Sequence, residues 1–131
     1  MYLFLPAADC KKVCDLLGVP ILQEYNRNDP PDFNDDVVWF NGIKDDGHET
    51  FFIPRVFDTD GYCHTDDEGR FFAFCKTARK PYDLPVCCCL LIFKQHFGDD
   101  FILSSGGEFD EEWREARDEV EKILGYTFSG F

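Results

Sequence analysis

Pro81-Tyr82-Asp83-Leu84-Pro85-Val86-Cys87-Cys88-Cys89-Leu90-Leu91-Ile92-Phe93-Lys94-Gln95-His96-Phe97 is the stretch on which the fold turns. Val86, Leu90, Phe93 and Phe97 recur at helical spacing, Asp83 stands where a cap belongs, and the two prolines suit a first helical turn. The spacing predicts a helix running to about Phe97, buried inside the protein. Its apolar run, Leu84 to Phe93, is about ten residues, roughly half of what spans a bilayer. No membrane segment is expected.

On the N-terminal side, Arg70-Phe71-Phe72-Ala73-Phe74-Cys75-Lys76 has the length and aromatic content of a strand, and Asp58 to Gly69 before it is a polar loop. Val37-Val38-Trp39-Phe40 and Thr50 to Phe57 read as the arms of a hairpin turning at Asp46-Gly47. Pro54 puts the second arm at an edge or a bulge. Asn26 to Asn34, with Asp29-Pro30-Pro31-Asp32, reads as an extended, solvated loop. Earlier still, Asp9 is a candidate N-cap for a short helix whose Val13, Leu16 and Leu17 share a face and which Gly18 ends. Met1 to Pro6 reads as a first strand, because it lacks the basic head and the seven-to-fifteen-residue apolar run of a secretion signal.

On the C-terminal side, Gly98-Asp99-Asp100 turns the chain into a short strand, Phe101 to Ser104. A last helix from about Asp110 to Leu124 follows, with Trp113, Ala116, Val120 and Ile123 or Leu124 inward, acids mostly outward, and Gly125 as C-cap. These elements predict a single α+β domain over residues 1 to 131. Its small antiparallel sheet of about four to five strands is a meander, packed by the buried helix and the C-terminal amphipathic helix. The 131 residues, 44% apolar with 15 Phe, suffice for one core, and no repeat or linker divides them.

Charge is uneven. Residues 29 to 69 carry twelve acids against two bases, and residues 98 to 131 carry ten against three, while residues 70 to 97 are net +4 within a total of −13. Such a charge repels nucleic acid, whose binding needs Lys and Arg to neutralise phosphates. It attracts basic surfaces instead, so the expected partner is a basic host protein or nucleic-acid-binding complex, with no direct nucleic-acid or membrane contact. Asp35, Asp36, Asp45, Asp46, Asp66, Asp67 and Glu68 are the candidate partner-binding residues, with the acids of the last helix beside them. Simple solvation of these charges is the alternative.

Chemical sites are sparse. Asp58-Thr59-Asp60-Gly61 begins like a calcium loop, but Tyr62 breaks the pattern and Gly69 stands where a bidentate Glu belongs. Cys63-His64 with Cys75 lacks the chelating spacing of a zinc site, so no metal or other cofactor is expected. The seven cysteines read as reduced thiols of a cytoplasmic protein. Cys10 and Cys14 lie four apart on one helix and Cys87 to Cys89 point three ways around another, as core or half-core residues. Ser104-Ser105-Gly106-Gly107 lacks the Lys-Ser/Thr ending of a phosphate loop. No catalytic residue is assigned, because His48, His64 and His96 sit in no nucleophile signature. A small enzyme or ligand-binding domain remains an alternative, with a site around Lys76 to Asp99 using Arg79, Tyr82, His96 and Asp99. A phage-particle assembly component is a third, and it calls for a large exposed apolar patch.

Thr77-Ala78-Arg79-Lys80-Pro81-Tyr82-Asp83, then Lys94-Gln95-His96-Phe97-Gly98-Asp99, then Ser104-Ser105-Gly106-Gly107 together resemble small uncharacterised acidic proteins of bacteriophages and mobile elements. The resemblance covers about a third of the chain, and Gly106-Gly107-Glu108 departs from the Asp-Gly pair expected there. It implies a phage accessory protein in the cytoplasm of a bacterial host. The function implied is inhibition of a nucleic-acid-binding defence complex, in the manner of anti-CRISPR proteins.

Overall fold

In the computed structural model, residues 6–24, 28–54, 63–65, 71–73, 80–97, 101–102 and 113–125 are described. They form three α-helices and six short strands, an α+β arrangement. The helices are α1 (Ala7–Leu17), α2 (Asp83–Phe97) and α3 (Arg114–Leu124). The strands are β1 (Asp32–Phe33), β2 (Val37–Phe40), β3 (Phe51–Pro54), β4 (Cys63–Thr65), β5 (Phe71–Ala73) and β6 (Phe101–Ile102).

The six strands pair as two three-stranded sheets, not as one meander. In the first, antiparallel β1, β2 and β3 lie side by side in that order. Phe40 pairs with Phe51 and Val37 with Pro54, so the predicted hairpin forms and Pro54 ends an edge strand. Asp32-Phe33 is the addition: placed in a loop by its Pro-Pro neighbours, it pairs with Trp39 and Val38. Phe33 stacks on Phe40 with ring centroids 5.7 Å apart, which gives this two-residue strand a side chain to bury.

In the second sheet β4 and β5 are antiparallel, but β5 and β6 run parallel, with Phe71 opposite Phe101. Helix α2 lies between β5 and β6 in the chain. A helix that carries the chain back to the strand's starting end makes the next strand parallel, and this defeats the all-antiparallel expectation.

One hydrophobic cluster joins all three helices to the first sheet. It includes Val13, Val38, Phe40, Phe51, Ile53, Leu91, Phe93, Ala116 and Val120. Strand alternation sends Val38, Phe40, Phe51 and Ile53 inward, where Phe51 meets Phe93 of α2 at 6.3 Å between centroids. Helix α2 is buried almost all round, as a helix apolar on every side must be. Its consecutive cysteines divide the neighbours between them. Cys89 Sγ lies 3.9 Å from Cys14 Sγ of α1, Cys88 Sγ donates to the Ala116 carbonyl of α3 at 3.7 Å, and Cys87 sits half-buried against Asp83. Burial pushes the Cys88 and Cys89 thiols well up, Cys88 further through the neighbouring Cys14 and Cys89 through its contacts with Cys10 and Cys14.

Two expectations for α1 change. Pro6 occupies the N-cap position and Asp9 lies inside the first turn, where its charge still complements the helix dipole. The inward face is Ala7, Cys10, Val13 and Cys14, whereas Leu16 is 64% exposed, because the stripe follows the small cysteines that fit closely against α2. Gly18 and Gly125 end α1 and α3 in left-handed conformation, φ +70° and +76°, as predicted. Trp113, Ala116 and Val120 form the buried stripe of α3, and Ile123 and Leu124 pack beside it. Of the proposed first strand, Met1 to Pro6, Pro6 is the N-cap of α1 and residues Met1 to Leu5 lie outside the described residues. So do Leu103 and Ser104 of the proposed strand beyond Ile102, and Asp110 to Glu112 at the start of the last helix. No helix among the described residues is long and apolar enough to cross a membrane.

Candidate functional site

The outward face of the first sheet carries a different chemistry from its core face. Alternation turns Trp39 and Phe52 outward, directly opposite one another, with Asp32 opposite Trp39 on the other side. The two rings meet edge to face, 5.3 Å between centroids and 81° between planes. With Glu24 and Thr50 they line a cavity of about 210 Å³, and all four residues are half-buried.

Glu24 reaches this face because its segment is tied to the end of β2. Leu22 and Asn41 exchange both backbone hydrogen bonds, at 3.0 and 2.7 Å. Gln23 beside it donates to Asp32 Oδ2 at 2.8 Å. Glu24 Oε1 then accepts from the Trp39 indole N–H at 3.1 Å, and Oε2 accepts from the Thr50 hydroxyl at 2.6 Å. Both donors are neutral, so the carboxylate is oriented without being neutralised.

Behind Thr50 stands Asn41, polar yet fully buried. Its amide nitrogen donates to Thr50 Oγ1 at 3.0 Å and to the His48 carbonyl at 3.1 Å. Its Oδ1 accepts from the Gly42 and His48 amides at 2.7 and 3.1 Å. All four hydrogen-bonding positions of the carboxamide are filled, which is what makes its burial tolerable. The side chain fastens both ends of the 42–50 loop and, through Thr50, holds Glu24.

That loop contains a single turn of 3₁₀ helix, Lys44–Asp46, entered through Lys44 at φ +49°. Gly42 is required there, since a Cβ would overlap the Asp46 carbonyl and come within 3.0 Å of the Gly47 nitrogen. Asp45 and Asp46 are thereby held exposed at one end of β2. Asp35 and Asp36 are exposed at the other end, in a turn where Asn34 Oδ1 accepts from the Asp36 and Val37 amides at 2.9 and 3.0 Å. The two acidic turns are separated by the length of β2, about 13 Å at strand rise. The aromatic pair lies between them.

Asp66, Asp67 and Glu68 lie outside the described residues, as do Arg79 and Asp99 of the alternative ligand site. Tyr82 is in the core, its hydroxyl donating to the Glu49 carbonyl at 2.6 Å. His96 is exposed on the last turn of α2, edge-on to Phe97. Tyr82 and His96 stand about 21 Å apart along the helix axis by its rise per residue, so the structure does not bring them together. Asp58 to Gly61 and Cys75 also lie outside the described residues, while Cys63 and His64 belong to β4. Among the described residues no group of three or more His, Cys, Asp or Glu is placed to hold a metal ion.

Sequence reasoning missed Glu24, Asn41, Thr50 and Phe52. Trp39 was within reach, since alternation in Val37-Val38-Trp39-Phe40 places either the tryptophan or its neighbours outward. Comparison with protein families, curated proteins and solved structures found no match to this chain.

Proposed function

We propose that this chain acts by binding, docking on a basic protein through the outward face of its first sheet and the acidic turns at both ends of β2. The observation that carries this reading is the Glu24 carboxylate, fixed by two neutral donors beside two outward aromatic rings, with Asp35, Asp36, Asp45 and Asp46 exposed on either side. An aromatic centre within a charged rim is the composition of protein interfaces. The net charge of −13 favours a basic partner and disfavours nucleic acid itself. The resemblance of the 77–107 stretch to phage proteins adds the class of partner: a nucleic-acid-binding defence complex of the host, which this protein inhibits by covering a basic groove. A particle-assembly role would call for a large exposed apolar patch, and among the described residues Leu16, at 64%, is the one large apolar side chain that is mostly exposed.

The test is capture from bacterial lysate at about 0.1 and 0.5 M salt, because screening weakens exposed charge contacts. The bait is wild type or the variant Asp35→Lys, Asp36→Lys, Asp45→Lys, Asp46→Lys. A basic nucleic-acid-binding protein retained by wild type at low salt, and lost both at high salt and with the variant, is the expected outcome. Equal retention by the variant would remove these acids from the interface.

A further inference from the structure

We infer that the cavity between Glu24, Trp39, Thr50 and Phe52 receives one arginine side chain of the partner protein, an inference that rests on the basic-partner reading above. Size comes first. A cavity of about 210 Å³ is below the range of roughly 300–1,000 Å³ that holds drug-sized ligands, and equals about seven waters' share of liquid volume. It fits a single side-chain head and part of its stem.

Charge and hydrogen bonding then choose the head. A carboxylate offers about four acceptor positions, and Glu24 uses one on each oxygen, for Trp39 and for Thr50. One position per oxygen is left, and a guanidinium fork is the side-chain head that can supply a donor to each at once. The indole adds the aromatic surface that favours a flat cation, and tryptophan is the strongest of the three rings in this respect. Lysine would satisfy the charge but neither the fork nor the flat contact. The site is also built in advance. Asn41 holds Thr50, Thr50 and Trp39 hold Glu24, and the strand ladder fixes Trp39 against Phe52, so little side-chain freedom is lost on binding.

The Trp39 indole N–H is a direct reporter, because it donates to the carboxylate that the guanidinium would engage. The measurement is an NMR titration of this resonance with N-acetyl-arginine amide, the corresponding lysine and citrulline amides, and a hexa-arginine peptide, with the buried Trp113 indole as internal control. Arginine amide should shift Trp39 saturably, lysine amide should bind several-fold more weakly, and citrulline amide should leave it unmoved. Glu24→Gln should cost about ten-fold or more in affinity, the loss of a charge-assisted pair. Phe52→Leu, which leaves the carboxylate in place, should weaken binding independently. A Trp39 resonance unmoved by arginine, or moved equally by lysine and arginine, overturns the inference. Hexa-arginine that binds in a salt-sensitive way without moving Trp39 overturns the cavity while leaving the acidic-surface reading standing. Arginine amide that moves Trp39, with hexa-arginine affinity indifferent to reversal of Asp35, Asp36, Asp45 and Asp46, supports the cavity and removes the surface reading.

Discussion

Replacing Asn41 with alanine takes away four hydrogen bonds from a side chain with no exposure, and the magnitude follows from what each partner does next. The Gly42 amide is buried and is left stranded, at about 1–3 kcal/mol. His48 is exposed, so water can replace part of its two backbone bonds, at about 0.5–1 kcal/mol each. Loss of the bond to Thr50 adds about 1 kcal/mol. Asn41→Ala should therefore cost about 3–6 kcal/mol, a fifth or more of the 5–15 kcal/mol typical of a whole domain. In urea, with a slope of about 2 kcal/mol/M, the midpoint should fall by roughly 2 M. Asn41→Asp should do no better. It keeps the acceptor for Gly42 and His48, but it loses both donor bonds and adds a buried charge. A midpoint for Asn41→Ala within about 0.3 M of wild type, equivalent to about 0.6 kcal/mol at that slope, would refute the idea that this side chain organises the loop.

Gly42→Ala drives a methyl into the Asp46 carbonyl and should cost at least about 2 kcal/mol, read by the same denaturation; a neutral outcome would mean that the 3₁₀ turn relaxes freely. Phe93→Ala empties the contact between α2 and the first sheet and should lower stability by about 3–5 kcal/mol, seen as a large drop in Tm. The Cys88 and Cys89 thiols hold their protons in the folded protein well above the ordinary value of 9.0, whereas the unfolded chain releases them near that value. Stability should thus be unaffected by these two groups below about pH 8 and fall above about pH 9, by up to about 1.4 kcal/mol per pH unit for each thiol. Unfolding curves flat to about pH 11 would contradict it. Half-buried Cys87 should react with a thiol reagent in the native protein before fully buried Cys89, with mass spectrometry of digests as the check.

Helix α2 was legible because ten apolar residues between helix signals leave few other solutions, and the hairpin because aromatic runs flank a turn. Gly18 and Gly125 were legible for the plain reason that glycine tolerates left-handed backbone. Pairing was not. Nothing local to Phe71 or Phe101 says that they lie side by side; that follows from α2 crossing between their strands. The meeting of Cys14 with Cys89 likewise needs two helices to pack, 75 residues apart in the chain. The acids at 35, 36, 45 and 46 were legible as candidate partner-binding residues, but their positions in turns at opposite ends of β2 were not. Glu24 was invisible as a site residue, since it gains its role only when Leu22 pairs with Asn41 and brings it beside Trp39 and Thr50. A polar side chain with four local partners, such as Asn41, carries no signature in sequence beyond being an asparagine at a strand end.

The most direct measurement of the docking face is oxidative footprinting of the aromatic side chains, by hydroxyl radicals and mass spectrometry, with and without the basic protein retained at low salt. Trp39 and Phe52 should lose most of their labelling in the complex and regain it at about 0.5 M salt, while buried Trp113 stays unlabelled throughout. A partner demonstrably bound with Trp39 and Phe52 labelled as in the free protein would contradict the account and move the interface to another surface.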